Sequence, residues 1–390
     1  ISPLPVVVDM PRLWLVFCGV MFGTAFVWRA VNEWQDVRAG GTGDFAGWAT
    51  LASDPEPGAV VRVILKVRGD RYVAYATGVP GRRIDGALAG ESVLVRGRLS
   101  NDAPSYLLPR HVVGRIELDE VSEIIDHGSA LHRATNRLRR AINAGARTMS
   151  SENSALFAGL VIGDDRLQPK SMIDDFRRSG MSHLTAVSGQ NVALVLAAFA
   201  PLLARLRPGA RFATTLGVIG WFVLLTRAEP SVLRAAGMSA VGAYGFLRGR
   251  HRSAVSVLAI CVAGMLLIDP LLGWSVGWWL SVSASLGISV LAEPIASRIP
   301  VPPMFADVIG STAAAQVATL PISLVVFGRF APLGLIANVL TVPVAGLIMF
   351  AGIPLGLIAG VSPDWVAEMI MWPVEIGVAW VKFVAGVFAV

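Results

Sequence analysis

Residues 156–195 read LFAGLVIGDDRLQPKSMIDDFRRSGMSHLTAVSGQNVALV. An apolar run gives way at Gly163 to a charged stretch holding Asp164, Asp165, Arg166, Asp174, Asp175, Arg177 and Arg178. That stretch leads into a second apolar run that opens on His183, Ser188, Gln190 and Asn191. Polar groups at membrane depth are costly unless they face a wet cavity or a partner. Ser188-Gly189 is expected to break the helix, which is tolerated only where something satisfies the freed backbone groups. Two readings fit: a pore or gate using Asp164, Asp165, Arg177, Arg178, His183, Ser188, Gln190 and Asn191, or a satisfied polar kink inside a bundle.

Outward from this stretch the chain is mostly apolar on the C-terminal side. Of its 390 residues 54% are hydrophobic and only 15% charged, and mean hydropathy is +0.62. Soluble domains carry about 25% charged residues, so the class is a polytopic α-helical membrane protein with a modest soluble part. Spans are expected near Ala186–Ala204, Phe212–Leu225, Val232–Leu247, Ala254–Ile268, Val276–Leu291 and Val308–Phe327, and over Trp365–Val390. Leu333–Ala359 contains Pro343 and Pro354 and reads as one broken helix or two short ones. Leu13–Trp28 is just long enough to anchor, with a signal peptide as the rival reading. Basic loops at Arg205, Arg207 and Arg211, at Arg248 to Arg252, and at Arg298 alternate with loops around Glu229-Pro230 and Asp269-Pro270 that carry little basic charge. By the positive-inside rule the first set is cytoplasmic, which places the segment before Ala186 outside, and residues 44–126 with it if Leu13–Trp28 is a span entering from the cytoplasm.

Residues 44–126 change character. Val61 to Arg68 and Val93 to Leu99 alternate with period two, and Tyr72–Thr77 and Val112–Leu118 are further strand candidates. Gly69-Asp70, Gly78, Pro80 and Gly81 punctuate them. About five short strands in so small a region predict a small all-β barrel such as an OB-fold. Its 10 basic and 12 acidic residues give a net charge of −2, so bulk charge does not argue for nucleic acid. The alternation nevertheless turns Arg62, Lys66, Arg68, Arg96 and Arg98 outward, a pattern suited to a phosphate backbone. The solvated face of any half-buried strand would look the same. Residues 129–149 read as a helix with Leu131, Leu138, Ile142 and Ala146 on one face, and Arg133, Arg137, Arg139, Arg140 and Arg147 sharing the rest. Such a helix suits either a membrane surface or a solvated connector.

The 156–195 segment closely resembles the signature of the ComEC competence-protein family, inner-membrane channels for DNA uptake in transformation. Further blocks follow in family order: Glu229 to Ala236, Leu267 to Pro270, Gly277 to Ser281, Ala318 to Pro321 and Ala337 to Pro343. Residues 47–126 resemble the family's N-terminal OB domain. The residue patterns and the resemblance together divide the chain into an anchor and linker over 1–43, an OB-fold-like extracytoplasmic domain over 44–126, an amphipathic and interfacial connector over 127–182, and a competence-type helical domain over 183–390. The resemblance also implies single-stranded DNA as cargo, membrane lipid as surroundings, an extracytoplasmic DNA-binding protein as donor and a cytoplasmic motor. Arg234, Gln316 and Asn338 are expected to line the path.

Two departures from the family stand out. Where many members have Gly-Leu-His-Val, this chain has Gly189-Gln190-Asn191-Val192, so no imidazole stands at 191. The metallo-β-lactamase-like domain of many members needs a His-x-His-x-Asp-His cluster. The five histidines, His111, His127, His132, His183 and His251, form none. The chain is expected to come from a lineage without that domain or to be part of a longer protein. No phosphate loop or cofactor motif is present, and Ser188 lacks a Gly-x-Ser-x-Gly setting, so no enzyme activity is expected. A small-solute or lipid transporter with an accessory barrel, and more weakly a membrane hydrolase centred on Ser188, are the competing functions.

Overall fold

The computed structural model of the chain describes residues 21, 23–35, 40–185, 189–249, 253–328, 331 and 333–389. Five strands, β1 (Gly43–Leu51), β2 (Val61–Val67), β3 (Asp70–Ala76), β4 (Ser92–Ser100) and β5 (Val112–Asp126), close into a barrel in the order β1-β2-β3-β5-β4. All pairs are antiparallel except β3 with β5. The period-two residues Val61, Val63, Leu65, Val67, Val93, Val95 and Leu99 fill the interior, as their spacing predicts. Val67 pairs with Asp70, so the hairpin turn is Arg68-Gly69, and both residues have positive φ (54° and 106°). That is the primed geometry whose twist matches the flanking strands. Arg68 is therefore a turn residue rather than the end of the strand, and its guanidinium lies over the Phe45 ring at 5.3 Å.

Two barrel elements differ from the expectation. β1 carries Gly, Ala and Trp in place of branched residues, and its alternation is too weak to read. Gly78-Val79-Pro80-Gly81, read as turns, instead opens a helix. With α1 taken as the helix over residues 23–35, this is α2 (Gly78–Asp85). Proline is compatible with a first helical turn, where the N–H would be unpaired anyway.

Beyond the barrel come α3 (Ala130–Gly145), α4 (Ser151–Ile162), α5 (Lys170–Arg178), α6 (Ser182–Thr185), α7 (Gly189–Ala204), α8 (Pro208–Leu225), α9 (Pro230–Leu247), α10 (Ala254–Ile268), α11 (Val276–Ala296), α12 (Pro303–Phe327), α13 (Gly334–Val361) and α14 (Asp364–Val387). Of these α8, α11, α12, α13 and α14 are long and apolar enough to cross a membrane. α7 and α10 are shorter and equally apolar. The expected span Leu13–Trp28 lies largely outside the described residues.

The run containing Pro343 and Pro354 is one continuous 28-residue helix. A membrane helix tolerates proline because neighbours re-satisfy the freed carbonyls. α4 is buried along nearly its whole length, from Ala155 to Ile162, and packs against α13 and α14 in the bundle core. α3 does not present all its arginines to solvent. Its buried face is Thr135, Asn136, Arg139, Ile142 and Gly145, so Arg139 points inward, against the sequence expectation.

The barrel is locked onto the bundle. Leu271, in the turn between α10 and α11, is completely buried in the barrel core, and Trp34 of α1 packs against the same cluster. Trp34 also stacks on Trp274 at 5.0 Å. His111 of the barrel reaches Asp269 at 3.1 Å and Glu33 at 3.7 Å.

Candidate functional site

The deepest polar cluster lies where barrel and bundle meet. Asp54, on the β1–β2 loop, is 9% exposed and Arg139 only 2%. Asp54 pairs with Arg227 at 2.7 Å and Arg139 at 3.1 Å, and accepts from Ala89 N at 2.8 Å. Asp164, just past α4, takes Arg166 at 2.6 and 2.7 Å and Arg139 at 3.2 Å. Arg166 also donates to the Pro55 carbonyl, and Arg227 to Asn136. Burial alone would raise Asp54, but Arg139, Arg227 and Arg166 outweigh it and hold the carboxyl at about 2. At Asp164 burial also pulls upward, and the Arg166 hydrogen bond and the Arg139 charge hold it below the usual carboxylate range.

The turn supplying Arg227 is strained. Arg227 and Ala228 have φ of 59° and 54°, in the left-handed region. That conformation costs an L-residue about 1–2 kcal/mol. Ala228→Gly is therefore expected to stabilise the protein by about 1 kcal/mol, read as a higher thermal unfolding midpoint. An unchanged or lower midpoint would show that the turn stores no strain.

A second surface lies on the outer side of β2, β3 and β5. The β4–β5 connection folds back over it and buries Leu107 against Ile64, Val73 and Val112. Around this apolar patch stand Tyr75, Tyr106, Arg62, Arg110 and Arg115. Arg62 donates to Tyr106 Oη at 3.1 Å and makes a bidentate pair with Glu56. Arg115 lies over the Tyr75 ring at 5.2 Å. Tyr106 is 61% exposed. A recess lined by Glu56, Arg62, Leu107 and Arg110 opens beside it. Arg110 reaches Glu229, at the N-terminal end of α9, at 3.6 Å. The surface thus ends against the α8–α9 turn.

Of the five basic residues expected on one sheet face, Arg68 sits in the β2–β3 turn and the other four are divided between two strands. Arg62 and exposed Lys66 are on β2, Arg96 and Arg98 on β4, and β1 separates the strands. Strand order in a barrel is not sequence order, and the sequence pattern cannot show this. Arg96 lies 3.8 Å from Glu120, and Arg98 lies 3.2 Å from Asp44. Period two along the chain does not single out Tyr75, Tyr106, Arg110 or Arg115. Tyr106 and Arg110 lie in a short 3-10 helix, Ser105–Arg110, where no period-two alternation exists to mark them.

The residues expected at the gate are also distributed. Asp164 belongs to the buried ion-pair cluster, while Asp165 and Arg178 are exposed. Arg177 is exposed and 3.5 Å from Asp174. His183 is exposed on α6 and Gln190 on α7. Ser188 lies outside the described residues. Asn191 is buried and donates to the Leu160 carbonyl at 3.2 Å. Asn338 donates to the Gly334 carbonyl at 2.7 Å, and its Oδ1 is buried without a partner among the described residues. Half-buried Gln316 approaches the same Gly334. Arg234, inside α9, donates to Ser281 Oγ at 2.7 Å. Asn191, Arg234, Gln316, Asn338 and Thr341 are polar side chains set among apolar helices, and of these Gln316 and Asn338 share Gly334 as a neighbour. Among the described residues no three His, Cys, Asp or Glu side chains gather to hold a metal.

A closed five-stranded barrel fixed by buried ion pairs to long apolar helices defines a multi-pass membrane protein with an extramembrane domain. The chain belongs to the competence-protein family, whose model matches residues 160–390. It is 24% identical over 240 residues to ComE operon protein 3 of Bacillus subtilis, covering 61% of this chain and 30% of that protein. It is 31% identical over 183 residues to competence protein ComA of Neisseria gonorrhoeae (43% and 26%). It is 27% identical over 200 residues to the uncharacterized protein YcaI of Escherichia coli (47% and 26%). The chain thus spans under a third of the length of the curated relatives it matches. No solved structure matches it.

Proposed function

We propose that this chain carries single-stranded DNA across the bacterial cytoplasmic membrane during natural transformation. The barrel receives the strand on the outer side and hands it to the bundle. One observation carries the reading: the aromatic and basic surface of Tyr75, Tyr106, Arg62, Arg110 and Arg115 ends, through Arg110 and Glu229, at the head of the helix bearing Arg234. Bases stack on exposed aromatic rings while arginines track phosphates. The barrel itself reads as an OB-fold, supported by its strand order, the parallel β3–β5 pair and the helix between β3 and β4. The surface lies on the strands 2–3 face that such barrels use for oligonucleotides.

Orientation follows from the loops. The turns at Glu229 and Asp269 both touch the barrel. The arginine-rich segment 205–211, at the start of α8, and Arg248, just past α9, lie away from those turns, and by the positive-inside rule this supports a barrel on the outer side. Cargo delivery by an extracytoplasmic DNA-binding protein and traction by a cytoplasmic motor complete the scheme.

The test is a transformation assay in a strain lacking this gene, with DNA bound outside the cell scored separately from DNA that has entered. Loss of entry with normal outer binding supports the role; normal entry ends it. Tyr106→Ala with Arg115→Ala, in the full chain, is expected to weaken single-strand binding about tenfold, the scale of one lost stacking platform. Unchanged binding would remove this surface from the path.

A further inference from the structure

Among the described residues, four arginines are largely withdrawn from solvent. Arg139, Arg166 and Arg227 each pair with a carboxylate. Arg234, only 7% exposed, pairs with none among the described residues. Its Nε donates to Ser281 Oγ at 2.7 Å, and its Nη1 to the Met238 sulfur at 3.3 Å. A thioether is a weak acceptor. Its Nη2 points at Gly189, where an added Cβ would stand 2.9 Å away. The missing side chain at 189 thus leaves the guanidinium a notch. A buried charge without a counter-ion is expensive, and inside a membrane bundle such a group is a functional-site candidate by default.

We infer that Arg234, steadied by Ser281 and given room by Gly189, is a binding station for one phosphodiester group within the membrane domain. This deepens the uptake reading and rests on it for the identity of the occupant. The guanidinium fork matches phosphate oxygens, and its two Nη groups, bound to nothing better than sulfur among the described residues, can donate to them. Phosphodiesters come from a nucleic-acid strand or from a phospholipid headgroup. Arg234 is enclosed in the bundle, on a helix that packs against α7, α8, α10 and α11. Five residues back along α9, about 7.5 Å at the helical rise, Glu229 touches the barrel through Arg110. The approach from the barrel favours the strand.

The experiment uses the full chain, purified in nanodiscs, as wild type, Arg234→Gln, Arg234→Lys and Ser281→Ala. Thermal unfolding is recorded with and without a short oligothymidylate. Separate nanodiscs contain phosphatidylcholine alone or with phosphatidylglycerol. The oligothymidylate is expected to raise the wild-type midpoint, and to do so with about tenfold lower affinity in Arg234→Gln, the loss of a charge-assisted contact. Arg234→Lys should recover part of that loss. Without ligand Arg234→Gln should melt no lower than wild type, since it removes an uncompensated charge. A ligand-free midpoint that falls would make Arg234 a structural residue. A shift with phosphatidylglycerol but not with the oligonucleotide would overturn the strand as occupant, and an oligonucleotide effect equal in all variants would overturn the station. These results are read without any uptake assay, so they stand apart from the outcome in the deletion strain.

Discussion

Asp54→Asn is expected to destabilise the full-length protein by about 3–5 kcal/mol, the scale of a buried ion pair broken from one side. The cluster holds three guanidinium groups (Arg139, Arg166 and Arg227) against two carboxylates, Asp54 and Asp164. Removing the Asp54 charge leaves three buried cations around one anion. The asparagine keeps a carbonyl oxygen to accept from Ala89 N, so the loss isolates the charge. Arg227→Gln in the same chain should recover part of it, because the cation left unpaired is then gone. The measurement is thermal unfolding in detergent, paired with protease cleavage between barrel and bundle. A variant that melts with the wild type and resists cleavage equally would show that the cluster does not hold the domains.

The same carboxyl predicts a pH dependence. Asp54 is held at about 2 in the folded chain, below the ordinary value of 3.8. A depressed carboxylate contributes stability that is fully present above its unfolded pKa and is lost as pH falls through the folded one. Docking should therefore hold from neutral pH to about pH 4 and weaken from there towards pH 2. Asp54→Asn should lack this component of the acid transition. An acid transition identical in both proteins would assign the effect to other groups.

What could be read from the sequence divides by the range of the interaction. Val61 to Val67 and Val93 to Leu99 declare themselves because one face of each strand is buried, and burial imposes period two along the chain. The apolar helices are equally local. Arg139 was hidden because its partner Asp54 lies 85 residues away; residue type alone turns an arginine outward, and only the fold supplies the carboxylate. The division of Arg62 and Lys66 from Arg96 and Arg98 has the same origin. Pro343 and Pro354 mislead for another reason: rules for proline come from helices in water, where a broken segment can be solvated, whereas between membrane helices it cannot. Arg234 is legible in the sequence, because a cation inside an apolar run needs an explanation wherever the chain places it.

Gly360→Val is expected to leave little folded protein in the membrane, a larger loss than Asp54→Asn. Gly352, Gly356 and Gly360 recur every four residues on α13 and form one stripe against α3 and α4. A Cβ on Gly360 would overlap the Ala141 carbonyl oxygen, and one on Gly145 of α3 would overlap the Gly356 carbonyl. At Gly352 the obstacles are Val161 at 2.5 Å and Phe157 at 3.1 Å. Small residues let membrane helices approach to backbone contact, and backbone cannot rotate aside as a side chain can. Ordinary overpacking costs about 1–3 kcal/mol; a branched side chain against backbone should exceed that range, whereas Gly360→Ala should fall near its upper end. Both are measured by the fraction of chain resisting protease in membranes and by the midpoint of the purified remainder. The consequence reaches the barrel, because α3 also carries Arg139. Lifting α3 from α13 draws that guanidinium away from Asp54 and Asp164. Gly360→Ala and Asp54→Asn together should therefore cost less than the sum of the two, each having already loosened the contact the other removes. Strict additivity would mean that the glycine stripe and the ion-pair cluster act independently, and that α3 is not the strut between them.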